Sequence, residues 1–216
     1  MDKMIIVDNV VKKYGNFTAL NGVSFQVKRG EWLTIMGPSG SGKTTLLNLI
    51  AGLDTPTSGK IVVKGKIISS MSHDERAKFR RENIGIVFQH FHLIPYLTAL
   101  ENVMLAQYVH SMPDREEALN ALRLVGLESK AENYPSQLSG GEQQRVAIAR
   151  AIINDPAVIL ADEPTGNLDA ENERIVLEIF ERLKEDGKTI VVVTHNPEVA
   201  EFGDRTLYIH HGKIVR

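Results

Sequence analysis

The 216-residue chain contains no cysteine. That removes disulfides, thiolate nucleophiles and cysteine-ligated zinc from its chemistry. A cytosolic setting is compatible with the absence but not demanded by it. Long apolar runs are also missing. Stretches such as Ala157 to Ala161 and Ile190 to Val193 fall far short of the ~18 residues of a membrane-spanning helix, so any service to a membrane needs a separate polypeptide to do the spanning. The opening MDKMIIVDNV carries acids and no extended apolar segment, which is not the pattern of a secretory signal. Neither charge dominates: 25 Lys and Arg stand against 27 Asp and Glu, a formal net charge of -2. Without a global basic field, nucleic acid is not an expected partner. Solenoid-length repeats and low-complexity tracts are lacking too. What is there, 43% hydrophobic and 24% charged residues, is a globular composition at a length that buries a real core.

Met4 to Val11, Val23 to Val27 and Trp32 to Met36 read as strands, with turn signals at Gly15-Asn16 and Lys28 to Glu31. Lys43 to Ala51 reads as a helix that Gly52 closes. Ile61 to Val63 and Ile84 to Val87 are further short strands. From His90 to Asn154 the pattern becomes mainly helical. Asp114 and Glu117 have the spacing of a capping box, and Ala118, Leu122 and Val125 share a face that Gly126 ends. Ala157 to Ala161 and Thr189 to Val193 are nearly continuous apolar runs, suited to strands buried on both faces of a parallel sheet. Between them Ile175, Val176, Ile179, Phe180 and Leu183 line one face of a helix, giving a βαβ unit. The expected class is α/β, with an antiparallel front layer and an inserted helical region.

Gly37-Pro38-Ser39-Gly40-Ser41-Gly42-Lys43-Thr44 fits G-x-x-x-x-G-K-[ST] between a strand and a helix. Glycines let the backbone wrap a phosphate with its N–H groups; Lys43 neutralises β- and γ-oxygens, and the Thr44 hydroxyl is a ligand for Mg²⁺. The helix that follows adds positive potential at its N-terminus. Val158 to Ala161 then leads into Asp162 and Glu163. A carboxylate at that strand end holds the Mg²⁺ shell, the place of Asp162, while Glu163 is the candidate general base for the attacking water. A second glycine motif, Leu138-Ser139-Gly140-Gly141-Glu142-Gln143-Gln144, has capping-box spacing at Ser139 and Glu142. Two glycines in a first helical turn cost stability and let a ligand approach the backbone. Such a surface makes sense if it serves the nucleotide of a partner subunit.

LSGGEQQR resembles the signature of the ABC ATPases. The resemblance covers nearly the whole chain and implies one ABC ATPase domain over 1–216. Its expected fold is a P-loop NTPase (RecA-like) core with an antiparallel β subdomain, over 1–89 and 154–216, and an α-helical subdomain inserted at 90–153. ATP and Mg²⁺ are the implied cofactors. Tyr14 is similar to the aromatic that stacks on adenine, though alone it reads more often as a strand-end packing residue. ATP is held by Gly37 to Thr45. Gln89 resembles the glutamine that reaches Mg²⁺ and water, Asn167-Leu168-Asp169 the loop that crosses the dimer interface, and His195 the switch histidine on the γ-phosphate. Mg²⁺ falls to Thr44, Gln89 and, through water, Asp162. Leu138 to Glu142 falls to the ATP of the partner subunit.

GPSGSGKTTLLNLIAGLDTPTSG, RAKFRRENIGIVFQHFHLIPYLTALENV and ADEPTGNLD are similar to the subfamily of macrolide efflux, lipoprotein release and cell-division scaffolds. The resemblance implies a cytoplasmic motor, peripheral on the inner face of the cell membrane. It would dimerise head to tail around two ATP and drive a separate integral membrane permease of export or extraction type. The alternative is a scaffold that moves a membrane partner without moving solute. Phe91, Leu93, Ile94, Pro95, Tyr96 and Leu97 read either as core or as the groove for that partner. A chromosome-maintenance ATPase would need a long coiled coil between Lys43 and Ser139, yet these lie under about a hundred residues apart without sustained heptads. Nothing suggests a regulatory extension after Arg216.

Overall fold

The structure, a computed structural model, describes residues 2–215. Alternating burial builds the first layer. β1 (Lys3–Tyr14) and β2 (Phe17–Lys28) form an antiparallel hairpin through Gly15-Asn16. β1 turns Met4, Ile5, Val7 and Val10 inward. β4 (Ser58–Val63) and β5 (Lys66–Ile67) complete a four-stranded sheet in the order β2-β1-β4-β5.

Behind it stands the second sheet. It contains β3 (Trp32–Met36), β6 (Ile84–Val87), β7 (Val158–Asp162), β8 (Thr189–Thr194), β9 (Arg205–His210) and β10 (Lys213–Ile214). The order is β10-β9-β3-β8-β7-β6, parallel except for β10. Every residue of β3 and β8 is buried, as their near-continuous apolar runs predict. Successive residues of β8 feed opposite cores. Val191 and Val193 pack with Leu46, Leu47 and Ile50 of α1 (Lys43–Ile50) and with the front sheet. Ile190 and Val192 pack with Val176, Phe180 and Leu183 of α6 (Ala170–Glu185). In that second core Trp32 meets Phe180 edge-on at 5.9 Å, a geometry favoured by the aromatic quadrupoles. The helices α3 (Ala99–Tyr108), α4 (Arg115–Leu124) and α5 (Gly140–Ile152) lie between β6 and β7 in sequence and share this core.

Several local readings change. α2 (His73–Asn83), β9 and β10 had no counterpart among the expected elements, and β1 and β2 run longer. α2 is polar and buries Phe79 and Asn83, too few positions to give a clear period. Its signal was the capping box of Ser72 and Glu75. Asp114 does cap α4, accepting from the Glu116 and Glu117 N–H groups, but Glu117 does not close a box. Its carboxylate accepts instead from buried Gln107, whose amide oxygen takes the Asp114 N–H. Residues 90–98 are not helical. Fully buried Asn102 bonds both the N–H and the carbonyl of Ile94 and the carbonyl of Leu97. Arg150 reaches from α5 to the carbonyls of Phe91 and His92 at 2.8 and 2.7 Å.

Candidate active site

Ligands of open α/β sheets bind beyond the carboxyl ends of the strands, and the expected phosphate, metal and catalytic residues gather there. The phosphate loop follows β3, Gln89 follows β6, Asp162 and Glu163 end β7, and His195 follows β8. A cavity of about 650 Å³ is lined by Pro38, Ser39, Gly40, Gly42, Lys43, Thr44, Thr45, Gln89, Asp162, Glu163 and His195. Gly42 takes φ +105° as the N-cap of α1, a conformation that favours glycine. Buried Lys43 folds back over the loop, its ammonium donating to the carbonyls of Gly37 and Pro38 at 2.6 and 3.0 Å.

The two acids are treated differently. Burial pushes the Asp162 carboxyl above the usual carboxylate range, and the neighbouring Glu163 charge adds to this. The Thr44 hydroxyl, 3.2 Å from Asp162 Oδ1, and the Lys43 charge pull it back. Glu163 Oε1 lies 2.8 Å from His195 Nδ1. A carboxylate only accepts, so Nδ1 carries the proton. Asn167 donates to the backbone carbonyl of Gln89 at 3.2 Å. Leu168 packs on the core that holds Trp32 and Phe180, and Asp169 caps α6 through the Asn172 N–H.

Tyr14 sits at the end of β1, half-exposed, outside the lining of the cavity. Its hydroxyl donates to Asp54 at 2.8 Å, and Lys12, itself paired to Asp54, stands 4.8 Å from the ring centre. Burial and the Asp54 carboxylate push the phenol up. Phe17, across the hairpin turn, does line the cavity. It was missed although its place two residues past Gly15 was visible. Thr194, which bonds Glu163, was also missed.

The signature segment splits. Ser139 caps α5 in a complete box with Glu142. Ser139 and Gly140 are exposed, whereas Leu138 and Gly141 are buried, and none of them lines the cavity. A Cβ on Gly140 would have Phe91 as its nearest neighbour, at 3.8 Å. One on Gly141 would fall 1.9 Å from Asn172 Oδ1 and 2.7 Å from its Cβ. Gly141 is therefore a packing glycine and Gly140 an open one. Gly141→Ala is expected to destabilise the fold by about 1–3 kcal/mol, the usual cost of overpacking; Gly140→Ala is not. Equal urea midpoints for the two variants would refute the distinction.

A phosphate loop after β3, a carboxylate pair at the end of β7 and a histidine after β8, the strand between those two, define a P-loop nucleotide hydrolase. Residues 20–166 match the ABC transporter family, and the chain belongs to that family as an ATP-binding subunit with ATPase activity. It is similar to the lipoprotein-releasing system ATP-binding protein LolD of Bacteroides fragilis, 43% identical over 98% of this chain and 100% of the relative. It also resembles the macrolide export ATP-binding/permease protein MacB of Chlorobaculum tepidum, 46% identical over 98% of this chain and 34% of that longer protein. Among solved structures, it matches the ATP-binding cassette MJ0796 of Methanocaldococcus jannaschii, a dimer in a post-hydrolysis state bound to ADP and Pi. There the TM-score is 0.91 at 46% identity, covering 99% and 97% of the two chains.

Proposed function

We propose that two copies close head to tail around two ATP and drive a separate integral membrane permease of export or extraction type. One observation carries the dimer. Ser139 and Gly140 form an exposed helix N-terminus, suited to phosphate, yet lie outside the cavity that their own chain's phosphate loop lines. Each ATP then lies between residues 39–45 of one copy and 139–142 of the other, with Asn167 to Asp169 at the interface. The dimeric form of the related cassette supports this. Lipoprotein release and macrolide export in the relatives' names favour transport over a scaffold that moves no solute.

Tyr14 takes the adenine, its ring braced by Asp54 and Lys12, and Phe17 extends that aromatic surface. Lys43 and the loop amides hold the phosphates. The donor set fits Mg²⁺, a hard cation that takes few protein oxygens and leaves the rest to water and phosphate. Thr44 and Asp162 place two oxygens 3.2 Å apart, Gln89 lines the same cavity, and no group of three or more His, Asp or Glu suited to a metal occurs among the described residues. Bound there, Mg²⁺ would neutralise charge developing on the phosphates. Glu163 takes the proton of the attacking water, and His195 positions the γ-phosphate.

Residues 90–153 act as the arm that carries the signature. Next to Gln89, the segment 91–97 leaves Ile94 and Tyr96 exposed while Asn102 and Arg150 hold its backbone. Beside it Arg80, Arg81, Leu105, Val109 and Arg150 line a groove of about 530 Å³. This surface receives the permease at the inner face of the membrane; no helix among the described residues is long and apolar enough to cross one. In the assay that tests this reading, specific ATPase activity rises with protein concentration, because a complete site needs two copies. Tyr96→Ala leaves that activity intact and abolishes co-purification with the permease. Concentration-independent activity would overturn the dimer, and unchanged co-purification the docking surface.

A further inference from the structure

Thr194 ends β8 with 1% of its surface exposed. Its Oγ1 lies 3.0 Å from Glu163 Oε2, and because the carboxylate only accepts, the hydroxyl donates. The same Oγ1 accepts the Asn196 N–H at 3.0 Å. Asn196 is held in turn: its side-chain oxygen accepts the Glu198 N–H, and its amide nitrogen donates to both oxygens of Glu173. The threonine hydroxyl is thus fixed on one side by a braced backbone and directed at Glu163 on the other.

Glu163 is anchored unevenly. Its N–H donates to the Val193 carbonyl at 2.9 Å, and its φ of +46° is unusual for a residue with a side chain. Oε2 receives Thr194 and also the His195 N–H at 3.3 Å, both from the rigid end of β8. Oε1 is held by the His195 ring alone, whose side chain is 68% exposed.

We propose that Thr194 is a positioning residue that divides the Glu163 carboxylate into an anchored oxygen, Oε2, and a reactive one, Oε1. This rests on Glu163 being the base. In the step, an O–H bond of water breaks and its proton goes to Oε1. The water oxygen bonds to the γ-phosphorus, and the bond from that phosphorus to the β–γ bridging oxygen breaks, with ADP leaving on the electron pair. A carboxylate free to rotate would present either oxygen at varying distance, and small misplacements of a reacting group cost up to about 100-fold.

Thr194→Val removes the hydroxyl and keeps the branched shape that β8 packs, with Thr194→Ala as a second deletion; Thr194→Ser keeps the hydroxyl. ATP hydrolysis and the lifetime of the ATP-bound dimer are measured for each beside Glu163→Gln. The deletions are expected to lower kcat by about 10- to 100-fold, to leave KM within about twofold, and to lengthen the dimer's lifetime, with serine restoring all three. Wild-type kcat in the deletions, or serine failing to rescue, overturns the role of Thr194. If Glu163→Gln itself turned over normally, the base assignment and the proposal would fall together. An inactive Glu163→Gln beside a fully active Thr194→Val would sink the proposal alone.

Discussion

Glu163→Gln is expected to lower turnover by at least about 100-fold while ATP affinity stays within about threefold, because a general base contributes about 10²–10⁴ to the rate. The substitution changes one atom and little of the geometry. An amide oxygen still accepts the Thr194 hydroxyl and the His195 N–H that now hold Oε2. The αL backbone at φ +46° is no harder for glutamine than for glutamate, as both carry the same unbranched stem. What disappears is a basic oxygen facing the cavity. ATP then closes two copies that cannot open by hydrolysis, and a nucleotide-bound dimer accumulates on a sizing column. Asp162 is a poorer candidate for the base. Its Oδ1 is engaged by the Thr44 hydroxyl at the start of α1, which suits a group awaiting a cation more than one aimed at water. A glutamine variant with wild-type turnover would move the base elsewhere, first to His195.

The phosphate loop and β7–Glu163 were legible because their chemistry is local: eight consecutive residues, or a strand and the two acids that follow it. β3 and β8 were legible because burial on both faces leaves a continuous apolar string. The remainder depends on pairs of residues far apart in sequence. Gly141 owes its small size to Asn172, not solely to an approaching ligand. Thr194 becomes part of the site through Glu163, 31 residues earlier. The stretch from Phe91 to Leu97 had one composition and two readings. Its exposure is decided by Asn102 and Arg150, which satisfy its backbone and leave Ile94 and Tyr96 outside. Arg150 spends its guanidinium on two carbonyls, and burial lowers its pKa. No local pattern announces such a contact. For α2 the obstacle differed: a helix with two buried positions carries almost no period, and its capping box was the readable part.

Lys43→Ala is expected to weaken ATP binding by about 10- to 150-fold, the equivalent of losing a hydrogen bond to a charged group worth about 1.5–3 kcal/mol. Hydrolysis should fall further, because a positive charge on the γ-phosphate does most of its work as charge redistributes in the transition state. Two of the three ammonium protons are already spoken for by Gly37 and Pro38 at 2.6 and 3.0 Å. Those bonds draw the charge over the concave side of the loop, where phosphate oxygens replace them at little cost. The loss spreads to the second ligand. Lys43 is one of the two influences that hold the Asp162 carboxyl down against burial and the Glu163 charge. Without it the pKa of Asp162 rises further. The anion that would hold the Mg²⁺ shell is then lost at a higher pH as the solution is acidified, so the variant's deficit should widen as the pH falls. Lys43→Met keeps an unbranched apolar stem in the buried site and separates the charge from the packing. The methionine variant should fold with the wild-type midpoint and bind ATP as poorly as the alanine one. Titration calorimetry across a pH series decides the matter, and an affinity equal to wild type in the methionine variant would remove Lys43 from the site.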